Sequence, residues 1–116
     1  MKHSTGTPTK AEQARFDKMK EIGLCVACYQ RRITGRQHIE IHHLLSGNKR
    51  IGHMATVSLC PWHHRGIADC GTAFMTKCAI GPSLAHGSKP FRAEFGTDKD
   101  LLVIQNLLIE DADDCH

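Results

Sequence analysis

Residues 41–64 read "IHHLLSGNKRIGHMATVSLCPWHH" and hold five histidines and one cysteine in 24 positions. Two doublets, His42-His43 and His63-His64, bracket a basic, glycine-containing segment. Residues 37–45, "QHIEIHHLL", contain alternating and β-branched positions and predict a strand; "SGNKRIGH" (46–53) has turn chemistry; "TVSLC" (56–60) predicts a second strand. Together they predict a β-hairpin with a long loop. Pro61 then stands at the first turn of a helix carrying His63 and His64, and Gly66 and Gly71 keep that helix short or broken. A hairpin followed by a helix is a compact way to bring distant histidines to one point.

Upstream, Thr9-Lys10-Ala11-Glu12 has the pattern of a capping box and predicts a helix over 9–22, with Ala11, Phe16, Met19 and Ile22 on one face and Gly23 as its stop. Residues 25–32 form a short knuckle. Downstream, a helical piece over 72–79 precedes the Gly/Pro/Ser-rich loop "GPSLAHGSKP" (81–90). Pro90 opens a short helix through Phe95. Thr97 and Asp100 cap a last helix over 98–110, with Leu101, Ile104, Leu107 and Leu108 facing inward. No internal repeat is present. The length of 116 residues suits one domain, 1–116, with 1–8 and 111–116 as flexible ends.

The chain has six aromatic residues, Phe16, Tyr29, Trp62, Phe74, Phe91 and Phe95. A core this modest needs support besides apolar burial. The opening "MKHSTGTPTK" lacks the apolar stretch of a signal peptide, and no apolar run approaches the roughly 20 residues of a membrane span. These features predict a soluble intracellular protein that does not enter membranes. The six cysteines then read as metal ligands or free thiols, not as a disulfide framework.

The net charge of +3 conceals a division. Residues 31–92 hold nine Lys/Arg against two acids, whereas residues 93–116 hold one Lys against seven acids. The basic stretch coincides with the histidine-rich one, which favours a face that follows a polyanion.

Cys25-Val-Ala-Cys28 is a C-x2-C knuckle and Cys60-Pro-Trp-His63 a C-x2-H half. Two short-spaced halves make a four-ligand set suited to Zn²⁺, which accepts thiolate and imidazole in a tetrahedron. Such a closed set is structural, and its binding energy couples to folding. A redox role for Cys25 and Cys28 would need a βαβ context that is missing. Cys70, Cys78 and Cys115 lack paired spacing.

With His63 assigned, His42, His43, His53, His64 and His86 remain. "IHHLL…LCPWHH" resembles the HNH nucleases with the ββα-metal motif, many of which are braced by paired zinc ligands. With "IGH", "LCPWHHRG", "GPSLAHGSKPF" and "FG" added, residues 20–103 resemble the phage recombination-enhancement nucleases that depend on RecA. The resemblance implies a small α+β, zinc-braced ββα-metal domain with flanking helices. It implies an endonuclease that hydrolyses DNA in the cytoplasm of a bacterium, encoded by a phage or prophage, with a RecA filament as partner.

By the same resemblance His42 and His64 ligate a second, catalytic divalent metal (Mg²⁺ or Mn²⁺), and His43 is the general base. His86 in "AHGSKPF" is a third ligand, because the position one helical turn after His64 is Ala68. The motif's middle Asn falls on Ala55; His53, and after it Asn48, can take its place. Lys49, Arg50, Arg65, Lys89 and Arg92 supply the DNA contacts, with Arg31, Arg32 and Arg36 extending the footprint.

Two other classes share part of this pattern. His38-Ile-Glu40 matches the H-x-E of zinc deaminases, but Leu59 precedes Cys60, His63 replaces the second Cys, and the Cys25/Cys28 pair comes in the wrong order. A non-catalytic zinc-braced DNA-binding module explains the zinc ligands and the charge, but not the second histidine set.

Overall fold

The Thr9 hydroxyl accepts the Glu12 N–H at 3.2 Å while the Glu12 carboxylate accepts the Thr9 N–H at 2.8 Å, closing the predicted capping box. The computed structural model describes residues 7–46, 49, 50, 52–68 and 71–114. Helix α1 (Lys10–Ile22) ends at Gly23, whose left-handed φ of 64° lets its N–H return to Met19 O. Phe16 and Met19 are buried, whereas Ala11 at the outer end is exposed.

A five-residue helix, α2 (Val26–Gln30), forms on the knuckle. Strand β1 (Glu40–His43) then pairs antiparallel with β4 (Thr56–Leu59), in the register Glu40 to Leu59 and His43 to Thr56. Between them the chain makes a second small ladder, β2 (Leu45–Ser46) with β3 (Lys49–Arg50), so part of the expected turn is itself a hairpin stem. Asn48, Cys70 and Cys115 lie outside the described residues, as do the side chains of Lys49 and Arg50.

Pro61 opens α3 (Pro61–Arg65), and Gly66 at φ 73° closes it. Helix α4 (Ala73–Ile80), a 3₁₀ turn (Leu84–His86), α5 (Ser88–Phe95) and α6 (Asp98–Asp114) follow. The last helix continues past the predicted end at 110. The fold is therefore α+β: a ββα unit of β1, β4 and α3, packed among helices. Among the described residues, no helix is long and apolar enough to cross a membrane.

The core gathers Phe16 and Met19 of α1, Val57 and Leu59 of β4, Trp62 of α3, Phe91 and Phe95 of α5, and Leu101 and Leu108 of α6. Leu107 does not face inward as expected; it is 52% exposed. At about 100° per residue it stands well off the Leu101–Leu108 line, while Gln105 falls near it. Gln105 is buried there because its Oε1 accepts the Ser58 N–H at 2.7 Å, satisfying a β4 amide.

Arg15 ties three elements together. Its guanidinium donates to Thr56 Oγ1 at 3.0 Å, to Thr56 O at 2.6 Å and to Asn106 Oδ1 at 2.8 Å. Thr56 Oγ1–H in turn donates to His53 O at 2.8 Å. Hydrogen bonds to a charged group contribute roughly 1.5–3 kcal/mol each and do not add fully. Arg15→Ala is therefore expected to destabilise the fold by about 2–3 kcal/mol in a urea titration. A midpoint unchanged from wild type would show that these bonds carry little of the packing between α1, β4 and α6.

Candidate functional site

Cys25 and Cys28 flank the start of α2, and Cys60 and His63 flank the start of α3, so two tight turns face each other. The four side chains are 0–4% exposed. Cys28 Sγ lies 3.8 Å from Cys60 Sγ. His63 Nδ1 lies 3.4 Å from Cys25 Sγ, 3.5 Å from Cys28 Sγ and 3.3 Å from Cys60 Sγ. A tetrahedral ion with Zn–S of about 2.3 Å and Zn–N of about 2.0–2.1 Å would set edges of about 3.8 Å between sulfurs and about 3.6 Å from sulfur to nitrogen. The observed spacings are those of a cluster that could hold a metal such as zinc. All four ligand atoms lie within 4.8 Å of one another, and this is the only such group of three or more among the described residues.

The far side of the ring is fixed as well. His63 Nε2–H donates to Ile80 O at 2.8 Å, which leaves the lone pair on Nδ1, facing the sulfurs. Phe95 and Phe91 stack edge-on against the imidazole and keep the site dry. The electrostatics favour a cation. Burial pushes the Cys25 thiol well up, while hydrogen bonds from Cys25 and Cys28 pull Cys60 far down. Burial opposes charge on His63, but the Cys28 and Cys60 sulfurs outweigh it and raise His63 to about 9.

On the other side of α3, His42 and His64 meet with ring centroids 5.2 Å apart. The alternation of a strand puts Glu40 on the same face as His42. Glu40 Oε1 accepts from His64 Nδ1 at 2.8 Å and from Arg65 Nε at 2.8 Å, and its Oε2 accepts from Arg65 Nη2. The Arg65 bond, then His64, holds the Glu40 carboxyl below its ordinary range against the opposing effect of burial. With Nδ1–H given to Glu40, the lone pair of His64 sits on Nε2. A carboxylate–histidine pair of this kind fixes the tautomer of a metal ligand.

His43 falls on the opposite face of the strand, where its Nε2 lies 3.0 Å from His53 Nδ1. Phe16 packs edge-on against both rings, at 6.1 Å and 5.6 Å. His53 is buried and its carbonyl is anchored by Thr56. Ala55, at the position of the motif's Asn, is buried with only a methyl group to offer. The histidines of the hairpin thus come together as two pairs, His42–His64 and His43–His53. The pairs are joined through the consecutive residues His42 and His43, about 3.8 Å apart at Cα.

His86, in the 3₁₀ turn, packs against another part of α3. Its ring stacks edge-on to Trp62 at 5.4 Å, and a Cβ on Gly66 would stand 2.9 Å from its Nε2. His42, His64 and His86 do not form a three-ligand group like the sulfur site. Arg65 is engaged by Glu40, and Arg92 lies 3.5 Å from Asp98, so both guanidinium groups already have carboxylate partners; Lys89 is exposed. The residue that the sequence did not single out for this site is Glu40. Its signal was its place two residues before His42 on a predicted strand.

A family model described as recombination enhancement, RecA-dependent nuclease matches residues 8–110. Comparison with curated proteins gives no match.

Proposed function

The chain belongs to the recombination-enhancement, RecA-dependent nucleases, and from that premise we propose that it is an HNH-type DNA endonuclease with a ββα-metal site. In this reading it acts beside RecA filaments in the cytoplasm of a bacterium and is encoded by a phage or prophage. The Cys25/Cys28/Cys60/His63 set holds structural zinc, with no coordination position left for substrate. One observation carries the catalytic assignment: His42 and His64 face each other, and Glu40 fixes the tautomer of His64.

His42 and His64 would hold a second divalent cation, Mg²⁺ or Mn²⁺, which when bound supplies Lewis-acid stabilisation of charge on the phosphate. His86 would join them only by leaving the Trp62 ring. His43 takes the proton from the attacking water. For this its Nε2–H donates to His53 Nδ1, so that Nδ1 of His43 carries the lone pair. His53 is thereby the positioning residue in the place of the motif's Asn. Arg65 can turn from Glu40 to a phosphate oxygen.

The test is cleavage of single- and double-stranded DNA with and without RecA filaments. Two neutral imidazoles suit transition metals, so activity with Mn²⁺ should exceed that with Mg²⁺. Glu40→Ala is expected to lower cleavage roughly 10–100-fold, as loss of an outer-shell partner does, and to weaken binding of the second metal by calorimetry. Cleavage by Glu40→Ala at the wild-type rate would remove Glu40 from the site. A non-catalytic zinc-braced DNA-binding module draws on the separation of His86 from His42 and His64. No cleavage by wild type with any divalent metal, with or without RecA filaments, would favour it.

A further inference from the structure

Between the sulfur cluster and β1, residues 31–39 carry three arginines and no acid. Arg31 is committed to Glu94 at 2.7 Å and lies over the Phe95 ring. Arg36 is not committed: neither it nor Lys20 makes an ion pair with any described residue. Its position is nonetheless fixed. The Arg36 stem crosses Gly23, where a Cβ would stand 2.5 Å from Arg36 Cγ. The next N–H, of Gln37, donates to Gly23 O at 2.9 Å. The segment is thus pinned to the end of α1, whose last turn carries Lys20.

Lys20, Arg36, Gln37, His38 and Ile39 line an open cavity of about 490 Å³. Gln37 Nε2 on that wall is a buried donor with no hydrogen-bond partner among the described residues. His38 Nε2 comes within 3.9 Å of Glu40 Oε2, the carboxylate that holds His64. Donors and positive charge therefore run in one row from the end of α1 to the His42–His64 pair.

We propose that this groove is the path of the DNA strand on one side of the cleaved bond, with Lys20 and Arg36 neutralising its phosphates and His38 donating to them. The proposal rests on the nuclease reading and adds the substrate track to it. Six chain steps lead from Arg36 to His42, the last of them in β1, which puts the two at most about 20 Å apart at about 3.3 Å per step. DNA rises about 3.4 Å per nucleotide on each strand, so Arg36 meets a phosphate within several nucleotides of the reacting one. Such contacts position the strand without reading its sequence.

The measurement is binding of fluorescent DNA across a salt series, with His43→Ala as the non-cleaving background. Adding Lys20→Ala and Arg36→Ala should weaken binding about tenfold at low salt and flatten the plot of log K against log salt by about 1–2, at roughly 0.7–0.9 per lost phosphate contact. Zinc content and melting should not change. Lys18→Ala is the control, because that ammonium is already held by Glu21 and Asp113; it should leave the slope alone. An unchanged slope in the Lys20/Arg36 variant overturns the groove while wild-type cleavage still supports the nuclease. Made with His43 intact, the Lys20→Ala/Arg36→Ala pair gives a second readout: loss of RecA-stimulated cleavage with an unchanged slope also overturns the groove and assigns the surface to a protein partner. Failure of wild type to cleave would count against the nuclease reading alone, since the salt slope reads binding.

Discussion

A chain carrying Cys28→Ser is expected to lose bound zinc and soluble, folded protein together. Cys28 Sγ is within 3.8 Å of Cys60 Sγ and 3.5 Å of His63 Nδ1, and the cluster joins the start of α2 to the start of α3. A serine hydroxyl is not a thiolate and leaves three ligands around a buried charge. Structural zinc contributes about 10–16 kcal/mol of apparent binding energy in small zinc domains, against a total stability of about 5–15 kcal/mol for a domain. The loss is thus on the scale of the whole fold. Metal analysis should fall from one structural ion per chain towards none, and the cooperative melting transition should disappear. Cys78→Ser, at an exposed cysteine of α4, should leave both unchanged. Full zinc content and normal melting in Cys28→Ser would break the proposed ligand set. Acid should reproduce the effect in wild type, because thiolates and imidazole must give up their protons to bind metal.

His43→Ala should do the opposite, abolishing chemistry while sparing architecture. General-base catalysis contributes about 10²–10⁴ in rate, so cleavage of DNA should fall by that factor. Zinc content should stay at the wild-type level, since His43 lies on the face of β1 away from His64 and belongs to the His53 pair. His53→Ala should show a smaller loss, of roughly tenfold, because it removes the partner that sets the tautomer and leaves the base in place. Added imidazole should restore part of the His43→Ala activity and none of the activity lost with the second-metal ligands. Equal cleavage by wild type and His43→Ala would eliminate His43 as the base.

The sulfur site was legible because it is written in two local halves. Three-residue spacings fix two ligands each, and only the meeting of the halves is long-range. The helix starts were legible for the same reason: Thr9 with Glu12, and Thr97 with Asp100, are contacts three residues apart. Leu107 was misplaced because hydrophobicity favours a leucine over a glutamine on a buried face, although helical periodicity puts Gln105, not Leu107, near the Leu101–Leu108 line. Ser58 reverses that choice by presenting a backbone N–H that needs an acceptor. Arg65 read as a phosphate contact, yet it bonds Glu40, 25 residues away, and nothing local signals the pairing. Arg15 carries no local signal, because its partners lie 41 and 91 residues along the chain.

By itself the sequence determined the order of the elements, the caps, the cysteine–histidine cluster and the crowding of histidines on one hairpin and helix. Each depends on neighbours within a turn or a strand, where covalent geometry leaves few alternatives. Only the tertiary structure decided which histidine meets which, that Glu40 stands behind His64, that His53 rather than Ala55 reaches His43, and that Trp62 takes His86. Those partnerships depend on how β1, β4 and α3 pack, and a side chain's partner at long range is selected by that packing, not by its spacing along the chain.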